Sequence, residues 1–298
     1  MAIWSNTAGG HRISLGHETC GQIEIEDFFD LIFPDGPDGI LAVIFHSFLD
    51  DSSDRDQSKV IVSASFIGTR EQWTTLRKAW SKRLRNDGLS YFKSSEYWSL
   101  TGEFSKFRSD SDYPRPTGRI AAQKVRDDLE TIVKESGVGG LAVVIPVPVF
   151  NEILEMPDVK DKLGEKPYHW VFQSILFETV KEVRTVPGHH VVTFAHDEGP
   201  DSGRLLDKYI QFKNANPKTA KTMGGFSSLD DKQHPPLQCA DMVANAASHF
   251  AAQWLSNRDE ATWQRLKESV LRVAVWDREY ILEVVRTQSW FTGEEPHI

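Results

Sequence analysis

The run Ile-Leu-Ala-Val-Ile-Phe-His-Ser-Phe-Leu-Asp-Asp-Ser-Ser at residues 40–53 places two acids directly after a largely apolar segment. An apolar run of this kind, preceded by the turn-forming residues 34–39, is typical of a buried strand. A carboxylate at the end of a central strand is held rigidly at the sheet edge, which suits a metal site. Asp and Ser also form ordinary solvated turns, so Asp50 alone leaves both interpretations open.

The rest of the chain alternates between strand-like and helix-like patterns. Further apolar runs predict strands at residues 59–68, 141–150 and 189–195. Helical spacing of apolar residues predicts helices at residues 70–85, 120–134, 168–183, 237–255 and 261–273. This order predicts an α/β fold with a mixed central β-sheet flanked by helices. Residues 1–39 are interpreted as an irregular N-terminal lead-in, residues 40–298 as one domain with a C-terminal helical extension, and residues 101–118 as a long loop.

Composition limits the classes of function. The chain has 298 residues and a formal net charge of −9. General nucleic-acid binders are basic, although carboxylates that hold a metal add negative charge themselves. The 2 cysteines, Cys20 and Cys239, lack the spacing of a zinc site or a disulfide framework, which favours a reducing compartment such as the cytoplasm. Residues 1–10 do not resemble a signal peptide and no apolar stretch would span a bilayer, so we expect no membrane association.

Two later segments also deliver acids to structurally defined positions. A predicted strand ends at Asp197 and Glu198, and ligand sites in α/β sheets favour the carboxyl ends of strands, although a simple turn is equally consistent. A helix that starts at the favourable Pro235 carries Asp241 on the margin of an alanine-rich apolar face, beside Gln238. A partly buried carboxylate needs a cation or a donor. A metal ion and an arginine both meet that need, and we prefer the metal.

Four pieces of this pattern together resemble the "domain of unknown function 3800" family. They are the strand ending in Asp-Asp-Ser-Ser at 50–53, the Phe-x-x-x-Glu at 92–96, the strand ending in Asp197, and the helix opening Leu-Gln-Cys-Ala-Asp-Met-Val-Ala at 237–244. The resemblance covers residues 40–255, and residues 237–244 are its most specific part. It implies a ribonuclease-H-like fold. The first segment departs from the usual Asp-Glu-Ser-Gly, which makes Asp51 a weaker candidate than Asp50.

The resemblance also implies which residues carry out catalysis and bind metal. It assigns catalysis and the binding of two divalent ions to Asp50, Glu96, Asp197 and Asp241. Asp50 would bridge the two ions, and hard carboxylate oxygens suit Mg²⁺ or Mn²⁺. Lys93 would contact a phosphate or orient Glu96. The complete set of secondary candidates is Asp51, Lys93, Glu198, Asp231 and Gln238.

The implied activity is metal-dependent hydrolysis of phosphodiesters in DNA or RNA, by a nuclease. Basic residues at 70–85 and 204–221 are candidates for contacts with nucleic acid, and the former are also explained as a solvated helix face with Trp73 and Trp80 in the core. Two alternatives stay open. One is a binding module for nucleic acid or a partner that keeps the fold without the chemistry, and the other is a metal-dependent phosphatase of a small molecule. The oligomeric state is left open.

Overall fold

The computed structural model describes residues 42–53, 58–108, 117–156, 159, 167–258, 260–262, 264 and 272–287. The predicted lead-in at residues 1–39 lies outside these residues. The described strands are β1 (Ala42–Ser53), β2 (Val60–Gly68), β3 (Gly139–Pro146), β4 (His189–Asp197), β5 (Met223–Leu229) and β6 (Arg272–Val275). The described α-helices are α1 (Arg70–Asn86), α2 (Ser94–Ser99), α3 (Thr117–Ser136), α4 (Val147–Leu154), α5 (Pro167–Val183), α6 (Ser202–Ala215), α7 (Pro217–Ala220), α8 (Pro235–Asn257) and α9 (Arg278–Thr287). A 3₁₀ helix spans Gly102–Phe107.

The strands form one mixed six-stranded sheet in the order β5-β4-β1-β2-β3-β6. β1 pairs antiparallel with β2, and β2 pairs antiparallel with β3. β4 runs parallel to β1 on its other side, with Leu49 opposite His196, and β5 runs parallel to β4. The carboxyl ends of β1 and β4 therefore meet at the same edge of the sheet, and each carries acids there.

Successive side chains of β1 point to opposite faces of the sheet, and different helices cover the two faces. Phe48 meets Trp73 of α1 edge to face, and the Ser52 hydroxyl bonds to that of Ser248 on α8. Leu49, on the opposite face, belongs to the core cluster that includes Phe172 of α5. The prediction of a mixed α/β sheet flanked by helices is confirmed.

The helix α1 begins at a capping box, since the Thr69 hydroxyl and the Gln72 side chain exchange bonds with each other's backbone N–H groups. Its apolar positions recur at helical spacing, and both tryptophans are buried, Trp80 completely. Burying each large apolar side chain contributes roughly 2–3 kcal/mol of transfer free energy. This explains why the tryptophans face the core and the basic residues of the helix do not.

Two sequence predictions need correction. The strand predicted at residues 141–150 stops at Pro146, and α4 begins at Val147 with Pro148 in its first turn, where a missing N–H costs nothing. The apolar content of the run concealed this change of structure. The helix predicted at residues 261–273 is wrong at its end, because Arg272 and Val273 lie in β6, which pairs with β3. The predicted C-terminal helical extension therefore contains a strand as well as α9.

The 3₁₀ helix lies within the segment predicted as a loop at residues 101–118, and α3 begins at its end. Residues 109–116 are outside the described part of the chain. No helix among the described residues combines the length and the apolar character needed to cross a bilayer.

Candidate metal site

Two carboxylates and one imidazole converge where β1 and β4 end. Oxygens of Asp50 and Asp51 and a ring nitrogen of His196 all lie within 4.8 Å of one another. The Asp51 Oδ1 atom is 3.3 Å from His196 Nε2. Carboxylate oxygens and imidazole nitrogens are common protein ligands of divalent metals. This cluster could hold a metal ion.

The hydrogen bond on the far side of the imidazole defines which nitrogen faces the cluster. His196 Nδ1 is 2.9 Å from the backbone carbonyl oxygen of Asp197. A carbonyl can only accept, so Nδ1 carries a proton and donates it. In the neutral ring, Nε2 then presents a lone pair toward the Asp51 carboxylate, an arrangement that needs a cation between them or a proton on Nε2. A backbone carbonyl that fixes the ring through its other nitrogen is typical of metal-ligating histidines.

Tyr168, on α5, completes the outer part of the cluster. Its hydroxyl donates a hydrogen bond of 3.1 Å to Asp51 Oδ1. Burial and the negative charge of Asp51 raise the pKa of Tyr168, so the phenol stays protonated and remains a donor. The bond holds one oxygen of Asp51 in a fixed orientation beside His196.

Asp241 approaches Asp50 from α8, on the side of the sheet that faces α1. Asp241 Oδ2 accepts a hydrogen bond of 2.6 Å from the backbone N–H of Ser94. Burial raises the pKa of Asp241 to about 6, against the opposing effects of that bond and of the Lys93 charge. Burial also raises the pKa of Asp50 well above its ordinary value, and the charges of Asp241, Asp51 and Asp197 add to the effect.

The raised pKa values of Asp50 and Asp241 have two causes, burial first and then the charges of neighbouring carboxylates. The carboxylates repel one another at short range, and each proton retained relieves part of that repulsion. A divalent cation would provide the same relief while leaving the oxygens free to coordinate it. The electrostatics therefore fit a metal, as do the chemical types of the donors.

Asp197 lies on the opposite face of β4 from His196 and links the cluster to a lysine. Burial and the charge of Asp231 raise the pKa of Asp197. Its Oδ1 atom accepts a bond of 3.2 Å from the Asp231 N–H. Lys93 Nζ lies 2.5 Å from Asp231 Oδ2 and 3.9 Å from Asp197 Oδ2. Although burial lowers the pKa of Lys93, these carboxylates outweigh it and the net shift is upward, so the side chain stays charged.

Gln238 is a buried side chain whose hydrogen bonds connect the segments that carry Lys93 and Asp231. Only 1% of its surface is exposed. Its Oε1 accepts bonds from Trp80 Nε1 at 2.9 Å and from the Phe92 N–H at 3.0 Å. Its Nε2 donates to the carbonyls of Asp231 at 2.9 Å and Lys232 at 3.2 Å. One side chain thus ties α8 to the segment before Lys93 and to the turn that carries Asp231.

The structure places Glu96 in a different set of contacts. Its Oε1 accepts a bond of 2.9 Å from the Tyr91 hydroxyl, and its Oε2 accepts one of 2.8 Å from the Glu103 N–H. Gly102 has a positive φ of 49°, and a side chain there would collide with the Glu96 carboxylate. Through these contacts, Glu96 connects the two ends of the segment from residue 91 to residue 103. Its predicted role as a metal ligand stays a prediction.

The remaining candidates differ in position. Glu198 is exposed, and its backbone N–H bonds to the carbonyl of Leu229. Asp231 is buried and paired with Lys93, as described above. In the basic stretches, Arg83 pairs with Asp87 and Asp128, and Lys213 donates to the Gly224 carbonyl. Part of that positive charge is therefore used within the protein.

Sequence reasoning passed over His196 and Tyr168. In the sequence, His196 directly precedes the predicted ligand Asp197, and only the acids at this strand end were proposed as ligands. Tyr168 was predicted to lie in a helix, and its contact with Asp51 depends on how that helix packs against β1.

No family model matches the sequence, and no curated protein is significantly similar to it.

Proposed function

We propose that the protein is a divalent-metal-dependent phosphodiesterase with a ribonuclease-H-like fold, and that nucleic acid is its substrate. The observation that carries the proposal is the convergence of Asp50, Asp51 and His196 at the carboxyl ends of two parallel strands. The fold part is supported by a mixed sheet flanked by helices, in which the central β1 carries the acids. The resemblance to the domain of unknown function 3800 family points to the same class.

The charges of the site support hydrolysis of an anionic ester. Asp50, Asp51 and His196 would hold the metal, with Asp241 and Asp197 as further oxygen donors beside Asp50. A bound divalent ion would lower the pKa of a coordinated water and stabilise the leaving oxygen. In hydrolysis, water would add to phosphorus as the P–O ester bond breaks, and the proton that the water gives up would go to the departing oxygen. Lys93 offers a charged ammonium group beside Asp197 that would neutralise a phosphate oxygen.

The presence of an imidazole supports Mn²⁺ over Mg²⁺. Mg²⁺ prefers an all-oxygen shell, whereas imidazole nitrogen suits the transition metals. We therefore propose that Mn²⁺ sustains the activity at lower concentrations than Mg²⁺ does.

A substrate screen tests the proposal. Single-stranded DNA, duplex DNA, single-stranded RNA and a chromogenic phosphate monoester would be incubated with the protein and Mn²⁺, Mg²⁺ or EDTA. We expect cleavage of at least one nucleic acid with metal and none in EDTA, with activity restored when metal is returned. Turnover of the monoester alone would instead favour a small-molecule phosphatase. Binding of nucleic acid that is indifferent to metal and occurs without cleavage would favour a non-catalytic binding module.

A further inference from the structure

Trp98 is a large aromatic side chain that lies on the surface. Its exposed fraction is 45%, and no other Trp, Phe or Tyr side chain among the described residues is as exposed. The other described tryptophans are buried or partly buried. Single exposed apolar residues are common, so exposure alone assigns no role.

Several contacts fix the position of Trp98. Its Nε1 donates a hydrogen bond of 2.6 Å to Asn245 Oδ1. The Arg126 guanidinium lies 5.4 Å from the ring centroid, and Arg119 donates a bond of 2.7 Å to the Trp98 carbonyl. An indole that is already ordered loses little further entropy when a ligand stacks on it. Trp98 is thus a preorganised aromatic surface.

The two helices that hold Trp98 also hold Asp241. The Ser94 N–H of α2 donates to Asp241 on α8, and four residues further along each helix Trp98 donates to Asn245. Four residues of α-helix span about 6 Å. Asn245, which holds the exposed indole, therefore lies about one helical turn from Asp241, the α8 carboxylate that raises the pKa of Asp50 in the candidate metal site.

The charge around Trp98 is suited to an anionic ligand. Arg119 and Arg126 both lie against the aromatic pair formed by Tyr97 and Trp98. Arg126 Nε is paired with Glu130 Oε1 at 3.2 Å, whereas Arg119 bonds to the backbone carbonyls of Tyr97 and Trp98, which do not compensate its charge. Aromatic rings interleaved with arginines are typical of surfaces that bind single-stranded nucleic acid, where bases stack and cations meet the backbone.

We propose that Trp98 is the stacking platform for an unpaired nucleobase of a single-stranded nucleic acid whose backbone passes the metal site. The inference rests on the proposed function and narrows its substrate class. Duplex bases already stack on each other and offer no free face to an indole. A single strand presents such a face next to the phosphate that is cut.

The test measures binding of fluorescein-labelled ten-nucleotide single strands by anisotropy, in Ca²⁺, with oligonucleotide integrity checked on a gel. Trp98→Leu is expected to weaken binding about 5- to 150-fold, since stacking on one base contributes about 1–3 kcal/mol. Trp98→Phe keeps an aromatic face and should stay within a few-fold of wild type. Trp254→Leu is the matched control, because Trp254 also lies under an arginine, Arg258, but near the far end of α8. It should bind as wild type does.

A second readout does not depend on the folding of any variant. Photocrosslinking of a single strand that contains 5-iodouracil to the wild-type protein is expected to modify Trp98. Crosslinks that map only elsewhere would overturn the inference, as would equal binding by wild type and Trp98→Leu or an absence of single-strand binding by wild type. Loss of self-association in Trp98→Leu with unchanged oligonucleotide binding would identify a second copy of the chain as the occupant, and would also overturn it.

The outcomes separate this inference from the proposed function. Binding through Trp98 without cleavage in Mn²⁺ would support the platform and contradict the phosphodiesterase. Cleavage of single strands by wild type, with binding unchanged in Trp98→Leu, would support the phosphodiesterase and contradict the platform.

Discussion

Asp50→Asn is expected to abolish phosphodiester cleavage and to make the metal-free protein more stable than wild type. Burial raises the pKa of the Asp50 carboxyl, and the negative charges of Asp241 and Asp51 raise it further. The amide keeps the shape but loses the charge that would hold a cation. We expect cleavage to fall on the order of 10³-fold, the scale for removing one central electrostatic group. The assay is initial-rate cleavage at saturating Mn²⁺.

The expected difference in the free energy of unfolding between wild type and Asp50→Asn depends on pH. The folded-state pKa of Asp50 lies above its unfolded value, so the unfolded chain releases its proton first as pH rises. The free energy of unfolding of metal-free wild type should therefore fall as pH rises from about 4. Asp241 contributes in the same direction up to its pKa of about 6. In Asp50→Asn the fall should be smaller, and urea unfolding in EDTA at several pH values measures it.

Asp207→Asn is the matched control for Asp50→Asn. Asp207 lies on the exposed face of α6, so the same chemical change should alter neither cleavage nor the pH profile of unfolding. A variant at position 50 that unfolds, or one that cleaves as fast as wild type, would contradict the role given to Asp50.

Gln238→Leu is expected to lower the free energy of unfolding by about 3–5 kcal/mol, because it removes four hydrogen bonds from a buried position. Leucine has similar bulk but leaves the N–H groups of the Trp80 indole and the Phe92 backbone without an acceptor. The carbonyls of Asp231 and Lys232 lose a donor as well. Chemical denaturation gives the free energy.

Gln253→Leu makes the same substitution at an exposed position of the same helix. Its expected change is within about 0.5 kcal/mol, as for surface positions generally. Gln238 also positions Lys93, because it accepts a hydrogen bond from the neighbouring Phe92 N–H. Gln238→Leu protein that still folds should therefore cleave more slowly than wild type. A loss of less than about 1 kcal/mol would mean that water or local rearrangement replaces the four bonds.

The sequence predicted the sheet better than it predicted the site. The apolar runs around Phe48 and Val192 mark strands because burial on both faces demands continuous apolar residues. Patterns of this kind failed at Pro146, where apolar content continues while the backbone changes from strand to helix. They also missed β5, whose glycine- and serine-containing sequence lacks the apolar density of a central strand.

The site depends on contacts between segments that are far apart in the chain. Asp50 and Asp241 could each be selected locally, from a strand end and from a helix margin. Only the parallel pairing of β1 with β4 brings His196 to Asp51, and no local pattern encodes that register. Glu96 illustrates the converse, because the bonds from Tyr91 and Glu103 arise within its own segment and give the carboxylate a local structural role.

The most direct test of the account is pulsed electron paramagnetic resonance of Mn²⁺ added to the wild-type protein and to His196→Gln, with and without a single-stranded oligonucleotide. The account predicts that Mn²⁺ bound to wild type shows coupling to an imidazole nitrogen. It also predicts that His196→Gln loses the coupling and binds Mn²⁺ at least about 10-fold more weakly. Equal affinity in both proteins without nitrogen coupling, or no bound Mn²⁺ even with oligonucleotide present, would contradict a metal site at Asp50, Asp51 and His196.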